Sequence, residues 1–177
     1  MTEFPNENFP HAFGKHYLMA LEHRKTILRC LPPDGRMLEY GSGSSTLWFQ
    51  ENLQGSQELI SIESDKKFAR KTGAIWANVE TGGNASIAEE HVTVSCYRYV
   101  WEPIKYGNFD VILVDGVFRN LCLLAARCFL NPGGVVFLHD ANRNWYEAGK
   151  ALYQNSAMHE SHPDYKGILL WEGKNPL

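Results

Sequence analysis

Two glycines and three hydroxyl residues follow one another in the run Gly41-Ser42-Gly43-Ser44-Ser45-Thr46, directly after an apolar stretch that ends at Tyr40. Glycine can adopt backbone angles closed to other residues and lets a ligand lie against the main chain, and serine or threonine can cap a following helix. The unpaired N–H groups at such a helix start attract a carboxylate or a phosphate. The run therefore predicts a nucleotide or nucleoside pocket at a strand-to-helix turn. A pyrophosphate fits less well, because Thr46 stands where the dinucleotide fingerprint has a third small residue.

An acidic residue, Glu63, ends the next apolar stretch, 22 positions after Gly41. A carboxylate accepts hydrogen bonds from both hydroxyls of a ribose, and it repels a 2′-phosphate. This spacing predicts an adenosine-type ligand without that phosphate. The nearby Asp65 is predicted to cap a helix instead.

A second group of polar residues follows two other apolar stretches. It comprises Asp115 and Arg119 after the first stretch, and His139, Asp140, Asn142 and Arg143 after the second. Carboxylates and an imidazole can take a proton from an acceptor, so Asp115, Asp140 and His139 are the candidate catalytic residues. Arg119, Asn142 and Arg143 are the candidate substrate-binding residues, since an arginine can meet a negative group. Alternation along a strand sends His139 and Asp140 to opposite faces, and we expect Asp140 to be the one that faces the pocket.

Three of these residues also have a structural interpretation. Asp115 can cap the helix that follows Gly116, and Arg119, one helical turn further on, can pair with Asp115. A single histidine at a strand end, such as His139, often only makes structural hydrogen bonds. The sequence leaves these alternatives open.

The stretches that precede these residues predict strands of one sheet. They lie at residues 37–40, 58–63, 91–96, 109–114, 135–138, 157–160 and 167–171. The helices between them comprise an N-terminal helix with Phe13, Tyr17, Leu21, Leu28 and Leu31 on one face, a helix after Asp65 with Phe68, Thr72, Ile75, Trp76 and Val79 on one face, one at residues 119–130, and one that begins at Arg143 or Asn144. Alternating strands and helices predict a doubly wound, mostly parallel α/β sheet. Its ligands collect beyond the carboxyl ends of the strands, where the polar residues lie.

Length and composition indicate one domain over residues 1–177, with an N-terminal segment and helix at 1–35 and the sheet at 36–177. The chain has 44% apolar and 21% charged residues and a net charge of −3, without the basic excess of a nucleic-acid binder. No segment approaches the roughly 18 apolar residues that a membrane span needs, and the four cysteines form no C-x-x-C pair. We therefore predict a cytoplasmic protein with a small-molecule substrate and neither a nucleic-acid nor a membrane partner. The oligomeric state is left open, with a homodimer as one candidate.

Four motifs in order resemble the class I S-adenosylmethionine-dependent methyltransferases over roughly residues 36–171. Glu39-Tyr40-Gly41-Ser42-Gly43-Ser44-Ser45-Thr46 looks like the first motif of that family, and Glu63 stands at the position of its second. Phe109-Asp110-Val111-Ile112-Leu113-Val114-Asp115 is similar to the motif of strand four, and Leu130-Asn131-Pro132-Gly133-Gly134-Val135-Val136 to the lead into strand five. The chain thus resembles a small, methyltransferase-like member of this family.

The resemblance implies a Rossmann-like methyltransferase fold of seven strands, the last antiparallel, with one N-terminal helix before the first strand. It implies S-adenosylmethionine as cofactor, with its methionine part over the glycines and its ribose on Glu63. The cofactor-binding residues then expected are Glu39, Tyr40, Gly41, Ser42, Gly43, Ser45, Thr46, Glu63, Ser64, Tyr97 and Asp115. Tyr97 is included because Cys96-Tyr97-Arg98 occupies the region where the family commonly has an acidic residue near the adenine.

The implied function is methyl transfer to a small-molecule acceptor. Catechol-type relatives hold a magnesium ion between carboxylates at the ends of strands four and five, and oxygen ligands suit that ion. They use an adjacent Asp-Asn pair, whereas Ala141 separates Asp140 from Asn142 here. We therefore predict no metal and keep magnesium as the less favoured alternative. Two other functions stay open: an NAD-binding oxidoreductase, and a methyltransferase-like protein that binds ligand without catalysis.

Overall fold

The computed structural model describes residues 19–79, 94–160 and 168–176. Within these residues, one sheet contains seven strands: β1 (Arg36–Tyr40), β2 (Glu58–Glu63), β3 (Ile75–Trp76), β4 (Phe109–Val114), β5 (Leu130–Leu138), β6 (Gln154–Glu160) and β7 (Leu169–Lys174). The helices are α1 (Leu21–Arg29), α2 (Ser44–Asn52), α3 (Lys66–Thr72), α4 (Val94–Trp101), α5 (Arg119–Phe129) and α6 (Glu147–Lys150), with short 3-10 helices at Glu102–Lys105 and Asn144–Tyr146. No helix in these ranges is long and apolar enough to span a membrane.

The strand order across the sheet is β3-β2-β1-β4-β5-β7-β6. Strands β1 to β5 pair in parallel, and β7 lies antiparallel between β5 and β6. This topology confirms the predicted doubly wound sheet with an antiparallel last strand. It differs from the order 3-2-1-4-5-6 of dinucleotide-binding sheets.

Strand β4 lies at the centre of the sheet and is covered on both faces. Its residues Val111, Ile112, Leu113 and Val114 are fully buried, as their near-continuous β-branched run predicts. On one face α1 and α2 pack over Val111 and Leu113, and on the other α4 and α5 pack over Ile112 and Val114. The carboxyl ends of β1, β2, β4 and β5 therefore meet at one edge, where the polar residues of the sequence motifs lie.

Three predicted elements need correction or extension. The helix after Asp65 ends at Thr72, because Gly73 has a φ of +72° and closes it, so Ile75 and Trp76 form β3 instead of lying on that helix. The predicted strand at 91–96 is wrong over its described part, where α4 begins at Val94. Strand β5 begins five residues earlier than predicted and includes Pro132 and the two glycines after it.

The error at 91–96 has a physical cause. Val92 and Val94 alternate with polar neighbours over too short a window to define a period, whereas Cys96, Tyr99 and Val100 lie at helical spacing and are buried. Three predictions lie outside the described residues: the N-terminal helix positions Phe13 and Tyr17, residues 91–93, and position 167, where the last strand was expected to begin.

The ends of β1 and β4 approach each other backbone to backbone. Gly41 has a φ of +91°, and a Cβ atom added to it would lie 2.5 Å from the Cα and the N of Gly116. A Cβ atom on Gly116 would in turn lie 2.9 Å from the N of Gly41. Neither position has room for a side chain, so the two glycines set the spacing of the sheet edge.

We expect Gly41→Ala to destabilise the protein by about 3 kcal/mol or more, because it combines a strained left-handed backbone with a clash against main-chain atoms. Gly43→Ala is the matched control: Gly43 has an extended backbone, and a Cβ atom there meets nothing within 4 Å. Its cost should stay below about 1 kcal/mol, the scale of a helix N-cap change. Urea unfolding of both variants gives the comparison, and equal losses would contradict the role of Gly41.

Candidate functional site

The glycine turn between β1 and α2 is tied to the protein through its own amides. The N–H of Gly41 donates to the carbonyl of Ile62 (2.8 Å), that of Ser42 to Glu63 Oε2 (2.6 Å), and that of Gly43 to Thr46 Oγ1 (2.9 Å). At Gly41, Ser42 and Gly43 the expectation of unpaired amides is therefore wrong. The expectation that both glycines need special backbone angles holds for Gly41 alone, since Gly43 is extended.

Glu39 fixes this turn from inside the protein. Its carboxylate is fully buried and accepts hydrogen bonds from Ser45 (2.7 Å), Thr46 (2.6 Å) and Ser61 (2.7 Å). Burial raises the pKa of Glu39 to about 7, although the three hydroxyl donors oppose the shift. The side chains of Glu39, Ser45 and Thr46 thus hold the shape of the turn.

Glu63 lies at the end of β2 with its carboxylate directed toward the glycine turn. Its two oxygens accept four hydrogen bonds, from the backbone N–H and hydroxyl of Ser42 and from the hydroxyl of Ser64 (3.2 Å) and the backbone N–H of Asp65 (2.7 Å). The two backbone donors are fixed, whereas the two hydroxyls can rotate away. A diol ligand can therefore replace the hydroxyl donors while the carboxylate keeps its orientation.

Two residues expected to bind the cofactor point elsewhere. The ring of Tyr40 is buried in the core, and its hydroxyl donates to the carbonyl of Val100 (2.7 Å), so only its main chain lies at the sheet edge. Tyr97 is exposed on α4 and does not follow a strand, which removes the placement on which its predicted role rested. Asp65 caps α3 as predicted, accepting from the amides of Lys67 and Phe68.

The ends of β4 and β5 bring together an acid, an imidazole and a guanidinium. His139 Nδ1 lies 3.0 Å from Asp115 Oδ1, and Arg119 donates to the carbonyl and side chain of Asp115 (3.1 and 3.2 Å), to the carbonyl of Gly116 (2.9 Å) and to the carbonyl of His139. Asp140 completes the cluster at 3.5 Å from Arg119. Arg119 therefore pairs with Asp115, which is the structural interpretation of this residue that the sequence left open. All three nitrogen atoms of its guanidinium donate hydrogen bonds within the protein.

Charge and burial compete at this cluster. Burial disfavours the charged form of His139, but the adjacent Asp115 carboxylate outweighs it and raises the pKa of the imidazole above 6.5. Burial likewise opposes the charge of Asp115, and His139, Arg119 and Arg143 together lower the pKa of its carboxyl. Asp115 is thus an ionised partner that holds a basic imidazole.

Asp140 does not follow the alternation that the sequence predicted. Strand β5 ends at Leu138, and Asp140 has a φ of +53°, which turns its carboxylate back toward the cluster. His139 Nδ1 lies 3.9 Å from Asp140 Oδ1. Both side chains therefore reach the same site, and the expected opposition of their faces is wrong.

The other two predicted substrate residues lie at the surface of this edge. Asn142 and Arg143 are both exposed, and Arg143 lies 3.5 Å from Asp140 and over the ring of the exposed Trp145. Arg143 is held loosely compared with Arg119, which leaves it accessible to an anionic group.

Asp115, His139 and Asp140 could in principle ligate a metal ion, because their ligand atoms lie within 4.8 Å of one another. Arg119 already supplies the positive charge, at 3.2 Å from one carboxylate and 3.5 Å from the other. A magnesium ion would have to displace this buried guanidinium, so the donor set fits the ion poorly.

Sequence reasoning missed the part that Ser61 plays in holding Glu39, and two further residues, Gly116 and Tyr99, border the same edge. Ser61 lies two positions before Glu63 on β2, a polar interruption of an apolar strand that could have drawn notice. Gly116 directly follows the acidic end of β4. Tyr99 carries a buried hydroxyl that has no hydrogen-bond partner among the described residues, and nothing in the sequence separates it from an ordinary core aromatic.

Solved structures are similar to this chain, although no family model and no curated protein sequence matches it. A methyltransferase-like protein from Silicibacter pomeroyi superposes with a TM-score of 0.63 and 21% identity, covering 88% of this chain and 87% of that one. The chain has the fold of S-adenosylmethionine-dependent methyltransferases.

Two further structures of this methyltransferase fold carry ligands. An O-methyltransferase from Bacillus cereus in complex with SAH matches with a TM-score of 0.60 and 12% identity, over 92% of this chain and 84% of that one. The 16S rRNA N2 G1207 methyltransferase RsmC of T. thermophilus, in complex with AdoMet and guanosine, matches with a TM-score of 0.51 and 15% identity, over 87% of this chain and 38% of that one. Proteins with the fold thus differ in their acceptors.

The buried carboxyl of Glu39 should make stability depend on pH. Its pKa in the folded protein is about 7, against 4.5 as the ordinary value, so the folded state holds a proton that the unfolded chain releases. The free energy of unfolding should therefore fall as pH rises from about 4.5 to 7, by up to about 1.4 kcal/mol per pH unit from this group. Glu39→Gln removes the titration, and urea unfolding at pH 5, 6, 7 and 8 should show a flatter profile. Parallel profiles would refute the buried protonation.

Asp115→Asn should lower the pKa of His139. The variant keeps the burial that disfavours the imidazolium and removes the carboxylate that most favours it, so the pKa of His139 should fall. NMR titration of the imidazole C–H protons measures the change, with His139→Gln identifying the signal by its loss and circular dichroism confirming the fold. An unchanged midpoint would show that Asp115 does not control this imidazole.

Proposed function

We propose that this protein transfers a methyl group from S-adenosylmethionine to a small-molecule acceptor. The observation that carries the proposal is the pairing of Asp115 with His139 at the ends of β4 and β5, next to the glycine turn at the end of β1. The methyltransferase fold supports it. The alternative function, an NAD-binding oxidoreductase, is disfavoured because the strand order of the sheet is not that of dinucleotide-binding domains.

The residues that would hold the cofactor lie along one edge. Glu63 offers a pre-oriented carboxylate to the ribose hydroxyls, and the open space beside Gly43 leaves the turn accessible. Glu39 and Thr46 keep the turn in shape. When bound, S-adenosylmethionine supplies a methyl group already activated by a sulfonium charge, so the protein chiefly has to align the acceptor and remove its proton.

The paired imidazole suits that proton transfer. With Nδ1–H donating to Asp115, His139 presents Nε2 as the basic atom, and Nε2 is buried without a hydrogen-bond partner among residues 19–79, 94–160 and 168–176. A proton taken from a hydroxyl or an ammonium acceptor would reside on Nε2, and the Asp115 carboxylate would stabilise the imidazolium that forms. Arg119 acts as a positioning residue because it holds the main chain of both strand ends.

The acceptor would lie beyond β4 and β5. On the inner side, the ring of His23 on α1 packs edge-on against the ring of His139, with centroids 5.9 Å apart. On the outer side, Arg143 and Asn142 are exposed and can meet a polar or anionic acceptor. A net charge of −3 favours a small molecule over a nucleic acid.

Glu63→Gln tests the cofactor assignment. Calorimetry with S-adenosylhomocysteine, the demethylated product, should give binding to the wild-type protein and at least a tenfold higher Kd for the variant, because a carboxylate that accepts from a diol becomes a weaker, neutral acceptor. Asp65→Asn is the matched control, since it removes one negative charge two residues away and keeps a helix-capping side chain. Its Kd should change less than twofold.

Absence of binding to the folded wild-type protein would refute the proposed function. Binding of NAD in place of S-adenosylhomocysteine would favour the oxidoreductase instead. Equal losses in both variants would show that general electrostatics, and not a contact from Glu63, determines the affinity.

A further inference from the structure

The hydroxyl of Tyr99 is buried, and within the described part of the chain it has no hydrogen-bond partner. Tyr99 lies on α4 and is fully buried, and its Oη makes no hydrogen bond to any described residue. The buried hydroxyls of Tyr40 and Tyr153 behave differently, since each donates to a backbone carbonyl, of Val100 and Leu123 respectively. Leaving a buried hydroxyl unpaired is unfavourable, so an external partner is the natural explanation.

This hydroxyl lies where the ends of β1 and β4 meet. A Cβ atom on Gly116 would lie 2.0 Å from Tyr99 Oη and 2.9 Å from the N of Gly41. The phenol therefore occupies the space that a side chain at Gly116 would fill, directly against the glycine turn. It approaches the proposed cofactor edge from the side of the sheet covered by α4 and α5.

The surroundings of the phenol keep it a donor. Burial, followed by the charges of nearby groups including Glu63, raises the pKa of Tyr99 well above its ordinary value, and the positive charge of Arg119 only partly opposes this. The hydroxyl therefore keeps its proton. Its natural partner is an acceptor that arrives with the ligand.

The glycine turn creates a need for such a donor. The amides of Gly41, Ser42 and Gly43 already donate to the carbonyl of Ile62 and to the side chains of Glu63 and Thr46. A ligand carboxylate placed over the turn cannot use those three amides. A further donor at this edge would therefore stabilise it.

We propose that the Tyr99 hydroxyl donates a hydrogen bond to the carboxylate of the cofactor's amino-acid portion, at the edge of the glycine turn beside Gly116. This inference rests on the proposed function and adds to it a binding residue from α4. Tyr99 would thereby increase the affinity for ligands that carry an amino-acid tail over those that end at the nucleoside thioether.

Tyr99→Phe removes the hydroxyl and keeps the ring. Calorimetry should give a Kd for S-adenosylhomocysteine that rises about ten- to hundredfold, because the lost hydrogen bond is to a charged group. The Kd for 5′-methylthioadenosine, which lacks the amino-acid tail, should change less than twofold. Without ligand, the thermal unfolding midpoint of the variant should equal or exceed that of the wild type, since no protein hydrogen bond is lost.

Tyr153→Phe is the matched control. It removes a buried hydroxyl that does donate to a protein carbonyl, so its unfolding midpoint should fall while its Kd for both ligands stays within twofold of the wild type. The two variants thus have opposite expected effects on stability and on binding.

An unchanged Kd for S-adenosylhomocysteine in Tyr99→Phe would overturn the inference and leave the proposed function intact, with a buried water as the partner of the phenol. Equal losses of affinity for both ligands would also overturn it, because the contact would then be with the nucleoside. Failure of the wild-type protein to bind either compound would refute the proposed function, and this inference with it.

Discussion

The close approach of Gly41 and Gly116 is the constraint on which the site depends. With no side chain at either position, the ends of β1 and β4 touch through main-chain atoms, and the phenol of Tyr99 fills the space beneath. A larger residue at either glycine would push the two strand ends apart. This contact fixes the position of Asp115, the residue directly before Gly116. It also fixes the position of the glycine turn that leads into α2.

The acidic residues at this edge are held by the protein before any ligand arrives. Glu39 is enclosed by three hydroxyls, and Glu63 accepts four hydrogen bonds from the glycine turn and the start of α3. Such preorientation lowers the cost of ordering a carboxylate on ligand binding. Glu39 is fully buried and holds the turn, whereas Glu63 is 7% exposed at the sheet edge.

At the ends of β4 and β5, a buried cation holds the acidic residues in place of hydroxyl and amide donors. Arg119 is a buried cation that joins the main chain of Asp115, Gly116 and His139, so it compensates the charge of two carboxylates that would otherwise repel each other. This arrangement leaves the imidazole of His139 as the titratable group, raised in basicity by Asp115. Arg119 thus supplies the positive charge between these two carboxylates.

The sequence by itself determined which motifs follow which strands along the chain. An apolar run such as 109–114 and the spacing from Gly41 to Glu63 are local features that a parallel sheet requires. The sequence misplaced β3, where a helical face and a two-residue strand compete over a few residues. Which amides of the turn are already paired, and where the side chain of Asp140 points, was decided by tertiary structure alone. The amides of the turn are satisfied by Ile62, Glu63 and Thr46, and the φ of Asp140 reverses its direction. These outcomes depend on contacts between residues far apart in sequence or on a single backbone angle, and neither leaves a periodic trace in the chain.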